Sequence, residues 1–272
     1  MLIRLGYELE YQFPQATPLI LNLNVHFSRT SDLVRVDTIK TDPVVPLSTY
    51  RDTFGNWCTR AVGPPGRFWV GADGLIQDCG VPEPIFPTAG EHPVESLPND
   101  TLRFLLPSRY CETELLAPIA WQTFGALSPG WSRVQAICDF VHQHIHFDYQ
   151  AARPTKTASE VFNERRGVCR DYAHLAIALC RSLNIPARYC TGYLGDIGIP
   201  AMPFPMDFAG WMEVYLGGGW HTFDPRNNQR RIGRVLVARG QDAADVAISM
   251  TFGPNVLNAF RVWTDEVRAV AA

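Results

Sequence analysis

Arg165-Arg-Gly-Val-Cys-Arg-Asp-Tyr-Ala-His174 sets one cysteine, Cys169, where a glycine turn runs into a helical pattern. From that residue Ala173, Leu175, Ala176, Leu179, Cys180 and Leu183 recur at helical spacing until Asn184 and Pro186 end the run. The first N–H groups of a helix lack internal partners and carry the positive end of its dipole, so a thiolate placed there is stabilised over the thiol. Cys169 is therefore a candidate nucleophile, and the rest of its site must come from later in the chain.

The elements around this stretch define the domain. Upstream, Thr157-Ala-Ser-Glu160 is a capping-box pattern that opens a short helix closing near Arg165-Arg166-Gly167. Before it, Ser128-Pro129 precedes Val134, Ile137, Cys138, Val141 and Ile145, which predicts a helix with proline in its first turn. Downstream, strands are expected over 187–194, 211–216 and 220–224, the last two joined at Gly217-Gly218-Gly219. Helices followed by an antiparallel hairpin describe an α+β domain. From Met1 to about Phe86 the pattern is β-like instead: Ile3, Leu5, Tyr7, Leu9 and Tyr11 alternate, and further runs lie at 20–27 and 34–39. A stretch holding Pro82, Pro84, Pro87, Pro93 and Pro98 breaks that pattern and reads as a linker. The expected division is an N-terminal antiparallel β-domain with its linker over 1–98 and a second domain over 99–272.

Composition narrows the function classes. The 272 residues are 46% hydrophobic and 19% charged, with a net charge near −3. That balance offers no basic footprint for nucleic acid and no polybasic run for an anionic membrane surface. The N-terminus lacks the pattern of a signal peptide and no apolar run is long enough to span a bilayer, so a cytoplasmic location is expected. Seven cysteines in no scaffold spacing suit small core residues in a reducing compartment. Neither CxxC nor HExxH occurs, and no metal is expected.

Four blocks in order carry a resemblance: 166–175 (Arg-Gly-Val-Cys-Arg-Asp-Tyr-Ala-His-Leu), 184–194 (Asn-Ile-Pro-Ala-Arg-Tyr-Cys-Thr-Gly-Tyr-Leu), 207–216 (Asp-Phe-Ala-Gly-Trp-Met-Glu-Val-Tyr-Leu) and 219–228 (Gly-Trp-His-Thr-Phe-Asp-Pro-Arg-Asn-Asn). With the 232–246 segment they resemble the transglutaminase-like superfamily, in particular its bacterial cysteine-protease branch with an N-terminal β-domain. The resemblance implies a papain-like transglutaminase fold and a Cys, His, Asp triad, with Cys169 as nucleophile and Asp224 orienting the imidazole. It implies no metal or organic cofactor. The family pattern places histidine where this chain has Ala209. Without that base Cys169 keeps the ordinary thiol pKa near ~8.5, changed only by the helix terminus, and is a few per cent ionised at neutral pH. Ala209 fits either a histidine replaced to stop turnover or a natural loss.

No other histidine is expected to stand in. In a hairpin with an even-numbered glycine turn, paired positions add to an odd total, so Asp224 shares a face with 209, 211 and 213 and His221 points to the other. His174 lies about 140° round the helix from Cys169. His142, His144 and His146 end the first helix of the domain and suit solvent contact and its dipole. Asp207 reads as a loop cap, while Arg170 and Asp171 read as structural partners in the first helical turn. Trp211 and Tyr193 fit either an acyl-binding cleft or plain core. The expected function is cysteine acyl transfer on a peptide-like amide or ester, hydrolysis first and transamidation second. The rivals are a catalytically silent binding or scaffold module and an amide-forming biosynthetic acyltransferase. Self-association, for instance through the β-domain, stays open.

Overall fold

The structure, a computed structural model, describes residues 1–202 and 206–267. In chain order the N-terminal half holds β1 (Leu2–Phe13), β2 (Thr17–Leu21), β3 (Leu33–Arg35), β4 (Lys40–Asp42), β5 (Ser48–Arg51), β6 (Trp57–Gly63) and β7 (Gly66–Gln77). Four helices and two short strands follow: α1 (Thr113–Phe124), α2 (Trp131–His144), β8 (His146–Phe147), α3 (Ala158–Glu164), β9 (Arg166–Gly167) and α4 (Cys169–Ser182). The chain closes with β10 (Ala187–Tyr193), β11 (Ala209–Leu216), β12 (Gly219–Phe223), β13 (Val235–Gly240), β14 (Ser249–Thr251) and β15 (Val256–Val267). The architecture is α+β, as the sequence predicts.

Strand β1 alternates as read: Ile3, Leu5, Tyr7, Leu9, Tyr11 and Phe13 are buried on one face. Its neighbours are β7 on one side and β15 on the other, both antiparallel. A second sheet runs β14-β2-β6-β5. The last strands therefore return to sheets begun by the first residues, and the expected division at 98/99 does not separate the sheets. The Pro-rich stretch is likewise no free linker. Glu91 pairs with Arg133 at 2.9 Å, Gly90 O accepts the Gly217 N–H at 2.8 Å, and Phe86 lies against Trp131 and His221.

Helix α4 is the centre of the second half. Every residue from Asp171 to Ser182 is buried, because α1, α2 and α3 pack around it and β10 and β11 lie against it. The apolar stripe read from sequence is thus only part of a helix enclosed all round. Its buried Arg181 is satisfied by carbonyls, Ala187 O at 3.0 Å and Leu106 O at 3.1 Å among them, which fixes the C-terminal end. The third sheet has the order β12-β11-β10-β13. Its hairpin turns through Gly217 at φ 58° and Gly218 at φ 86°, conformations that glycine adopts without strain. Helix α2 begins at Trp131 rather than at Pro129, since Gly130 at φ 104° forms its N-cap.

Candidate active site

Cys169 opens α4 behind Gly167 and Val168. Asp171 reaches back to accept the Val168 N–H at 3.0 Å, so the turn is clamped to the helix it starts. A Cβ at Gly167 would come within 2.7 Å of the Asp171 side chain, which explains the glycine. The clamp aims Cys169 between two cavities. One of about 200 Å³ is lined by Cys169, Ala209, Gly210, Arg226, Asn227 and Phe147 among others. Another of about 600 Å³ is lined by Cys169, Tyr110, Arg170, Tyr189 and Thr191 among others. Asp207 and Phe208 border both.

The register of the hairpin agrees with the parity reading. Met212 faces Phe223 and Val214 faces His221, so Asp224, the next residue, falls opposite Trp211 on the face of Ala209. Ala209 and Cys169 line one cavity. Thr191 Oγ1 donates to Ala209 O at 3.0 Å and fixes that backbone.

The thiol itself differs from expectation. Burial pushes the Cys169 pKa up to about 11, with Asp207 adding to the rise, and the Gly210 N–H and Arg226 only partly offset it. At pH 7 the thiolate fraction is then roughly 10⁻⁴ rather than a few per cent. Desolvation outweighs the helix terminus here. None of the seven histidines lines either cavity. His221 Nε2 contacts Leu216 O at 3.0 Å on the far side of the hairpin, and His174 is buried with Nε2 accepting the Ala243 N–H at 3.1 Å. His142 Nδ1 lies 3.0 Å from Arg226 O, and His144 Nε2 lies 2.7 Å from Phe162 O, so two of the helix-end histidines brace the backbone instead of meeting only solvent.

Asp224 is buried and engaged. Its carboxylate takes Arg234 Nη2 at 2.8 Å, the Asn227 N–H at 3.0 Å and Asn227 Nδ2 at 2.7 Å. Burial alone would raise its pKa, but Arg234 and Asn227 win and hold it below the usual carboxylate range. Arg234 is gripped from its other side by Glu83, out of the Pro-rich stretch. Asn227 lines the smaller cavity and Asp224 does not. The carboxylate that would steer an imidazole thus steers Asn227.

Trp211 and Tyr193 are core side chains, and neither lines the cavities. The Trp211 ring is covered by the Arg234 guanidinium at 4.6 Å, and the Tyr193 ring lies 4.9 Å from Phe208. Cys58, Cys111, Cys138, Cys180 and Cys190 are buried and free. Sequence reading missed Asn227, Arg226, Arg234 and Glu83. Only the Asp-Pro-Arg-Asn-Asn run at 224–228 signalled any of them. Among the described residues no group of three or more His, Cys, Asp or Glu side chains is arranged to hold a metal, and no helix is long and apolar enough to cross a membrane.

Known proteins resemble this chain in fold and in sequence. The whole chain superposes on 92% of the crystal structure of a candidate cysteine protease from Cytophaga hutchinsonii, with 29% identity and a TM-score of 0.85. An uncharacterized protein of Mycobacterium leprae is 35% identical over 92 residues, 32% of this chain and 32% of its own. An uncharacterized protein of Mycobacterium bovis is 33% identical over 120 residues, 38% of this chain and 36% of its own. The matched segment thus spans about a third of these curated relatives. Residues 119–225, which run from α1 to just past Asp224, match the transglutaminase-like superfamily model. Over that central segment the chain carries a transglutaminase-like domain.

Proposed function

We propose that the chain is a cysteine-nucleophile acyl-transfer protein acting on a peptide-like amide or ester, with turnover held down by alanine at position 209. The observation that carries this reading is Cys169, at the half-buried start of α4, lining one cavity with Ala209. In the competent form the Cys169 sulfur attacks the carbonyl, a base at position 209 takes the thiol proton and returns it to the leaving amine, and a thioester forms. Water resolves the thioester in hydrolysis; a second amine does so in transamidation. Hydrolysis is the first choice.

Position 224 also supports a second reading, a catalytically silent binding module. Arg234 and Asn227 occupy the carboxylate that would orient an imidazole. The two readings separate on the reactivity of Cys169 toward iodoacetamide, followed by mass spectrometry, with Cys169→Ala as control. Ala209→His is expected to speed labelling below pH 7 by orders of magnitude, since a paired imidazole depresses a thiol pKa strongly. Equal, slow labelling of both forms would favour the silent module.

A further inference from the structure

The cavity beside Cys169 also holds a cation with no counter-ion. Arg226 Nη1 donates to Asn227 Oδ1 at 2.7 Å, and its guanidinium lies 4.4 Å over the Phe147 ring. Among the described residues no carboxylate is within ion-pair distance of it. Its neighbours differ: Arg234 faces Asp224 at 2.8 Å, and Arg231 faces Asp196 at 3.7 Å. Asn227 Oδ1 also accepts Arg231 Nη1 at 3.2 Å, so one amide oxygen braces two guanidinium groups. Asp224 in turn fixes that amide. The buried Arg231 Nε, on a side chain that lines the same cavity, has no hydrogen-bond partner among the described residues. The other charge beside the thiol, Asp207, is occupied by the Phe208 N–H at 2.6 Å. A guanidinium held by an aromatic face and an amide oxygen keeps most of its five N–H donors for a ligand, and their fork matches a carboxylate.

Resting on the reading of Cys169 as the acyl-accepting thiol, we propose that Arg226 binds a carboxylate on the molecule whose carbonyl meets Cys169. Asp224 and Asn227 are positioning residues that hold the guanidinium at the cavity wall. The substrate class is thereby narrowed to acyl compounds bearing a carboxylate, either the C-terminus of a peptide or an acidic side chain.

The test compares two alkylating reagents of nearly equal size, anionic iodoacetate and neutral iodoacetamide, on the native chain and on Arg226→Gln at one pH. The ratio of their rates at Cys169 cancels the thiolate fraction, and exposed Cys79 serves as an internal control. Removing one unit charge next to the sulfur is expected to lower the iodoacetate-to-iodoacetamide ratio about tenfold at Cys169 and not at Cys79. A ratio that does not move, or a thiol closed to both reagents, overturns the proposal. N-acetylglycine and N-acetylaspartate α-amide, added as competitors, distinguish the two carboxylate sources by which one slows iodoacetamide labelling. Protection by neither, or protection that survives in Arg226→Gln, also counts against Arg226. The ratio is independent of any effect of Ala209→His, so failure here and failure of the acyl-transfer reading are told apart.

Discussion

At the scale of single residues, the charges around Cys169 determine what the thiol can do. Burial and Asp207 hold it near pKa 11, and Arg226 and the Gly210 N–H pull the other way. Asp207→Asn removes a like charge and should move the inflection of Cys169 alkylation to lower pH, whereas Arg226→Gln should move it higher; a pH series of labelling rates reads both shifts. If neither substitution moves the inflection, burial alone controls the thiol. Asp224→Ala is a different experiment, because it takes from the buried Arg234 one of its two carboxylate partners and leaves only Glu83. A loss of about 3–5 kcal/mol in urea unfolding is expected, as for one partner removed from a buried ion pair. Cys169 at its helix start and the face shared by 209 and 224 were legible in sequence, because a helix start and a hairpin parity are local facts. The hold on Asp224 was not, since Glu83 arrives from a Pro-rich stretch whose composition reads as unstructured.

At the scale of elements, the legible features were those with a local hydrogen-bond code. The Thr157 box is present, with the Thr157 N–H on Glu160 Oε2 at 2.9 Å. Thr157→Ala should therefore cost ~1 kcal/mol of stability, read as a shift in the urea midpoint at constant slope. Helix α1 was not anticipated, and Pro118 inside it explains why: proline is a breaker signal in sequence, while here packing against α4 sustains the helix. Strand β10 shows a constraint that no local pattern carries. A Cβ at Gly192 would lie 2.1 Å from Val235 O and 2.9 Å from Val237 N, both backbone atoms of the next strand or its edge. They cannot turn aside as a side chain would. Gly192→Ala should open the β10–β13 edge and cost at least the ~1–3 kcal/mol of an overpacked core, measured by urea unfolding. Native-like stability would show that the register shift between Thr191 and Gly192 absorbs the methyl group.

At the scale of the whole molecule, the two halves share strands and a continuous core, so protonation anywhere inside acts on the stability of both. His26 sits in the N-terminal half, yet its backbone N–H donates to Leu236 O at 2.9 Å, and His174 lies in α4. Each imidazole has its pKa lowered to about 3, chiefly by burial, with Arg239, Arg188 and Arg51 adding to it at His26. A folded pKa below the unfolded one means that the unfolded chain binds the proton first. The contribution is therefore present above about pH 6.5 and lost as pH falls toward 3, at up to ~1.4 kcal/mol per pH unit for each histidine. The buried Asp37 and the half-buried Asp245, whose pKa values desolvation raises, act with the opposite sign. A difference between two chains isolates the histidine from that background. His174→Gln retains an acceptor for the Ala243 N–H but cannot be protonated in this range. The stability gap between the native chain and this variant, from urea unfolding at successive pH values, should change by close to one proton's slope between pH 6 and 4. A gap that stays constant would mean that His174 takes up its proton without leaving the folded core.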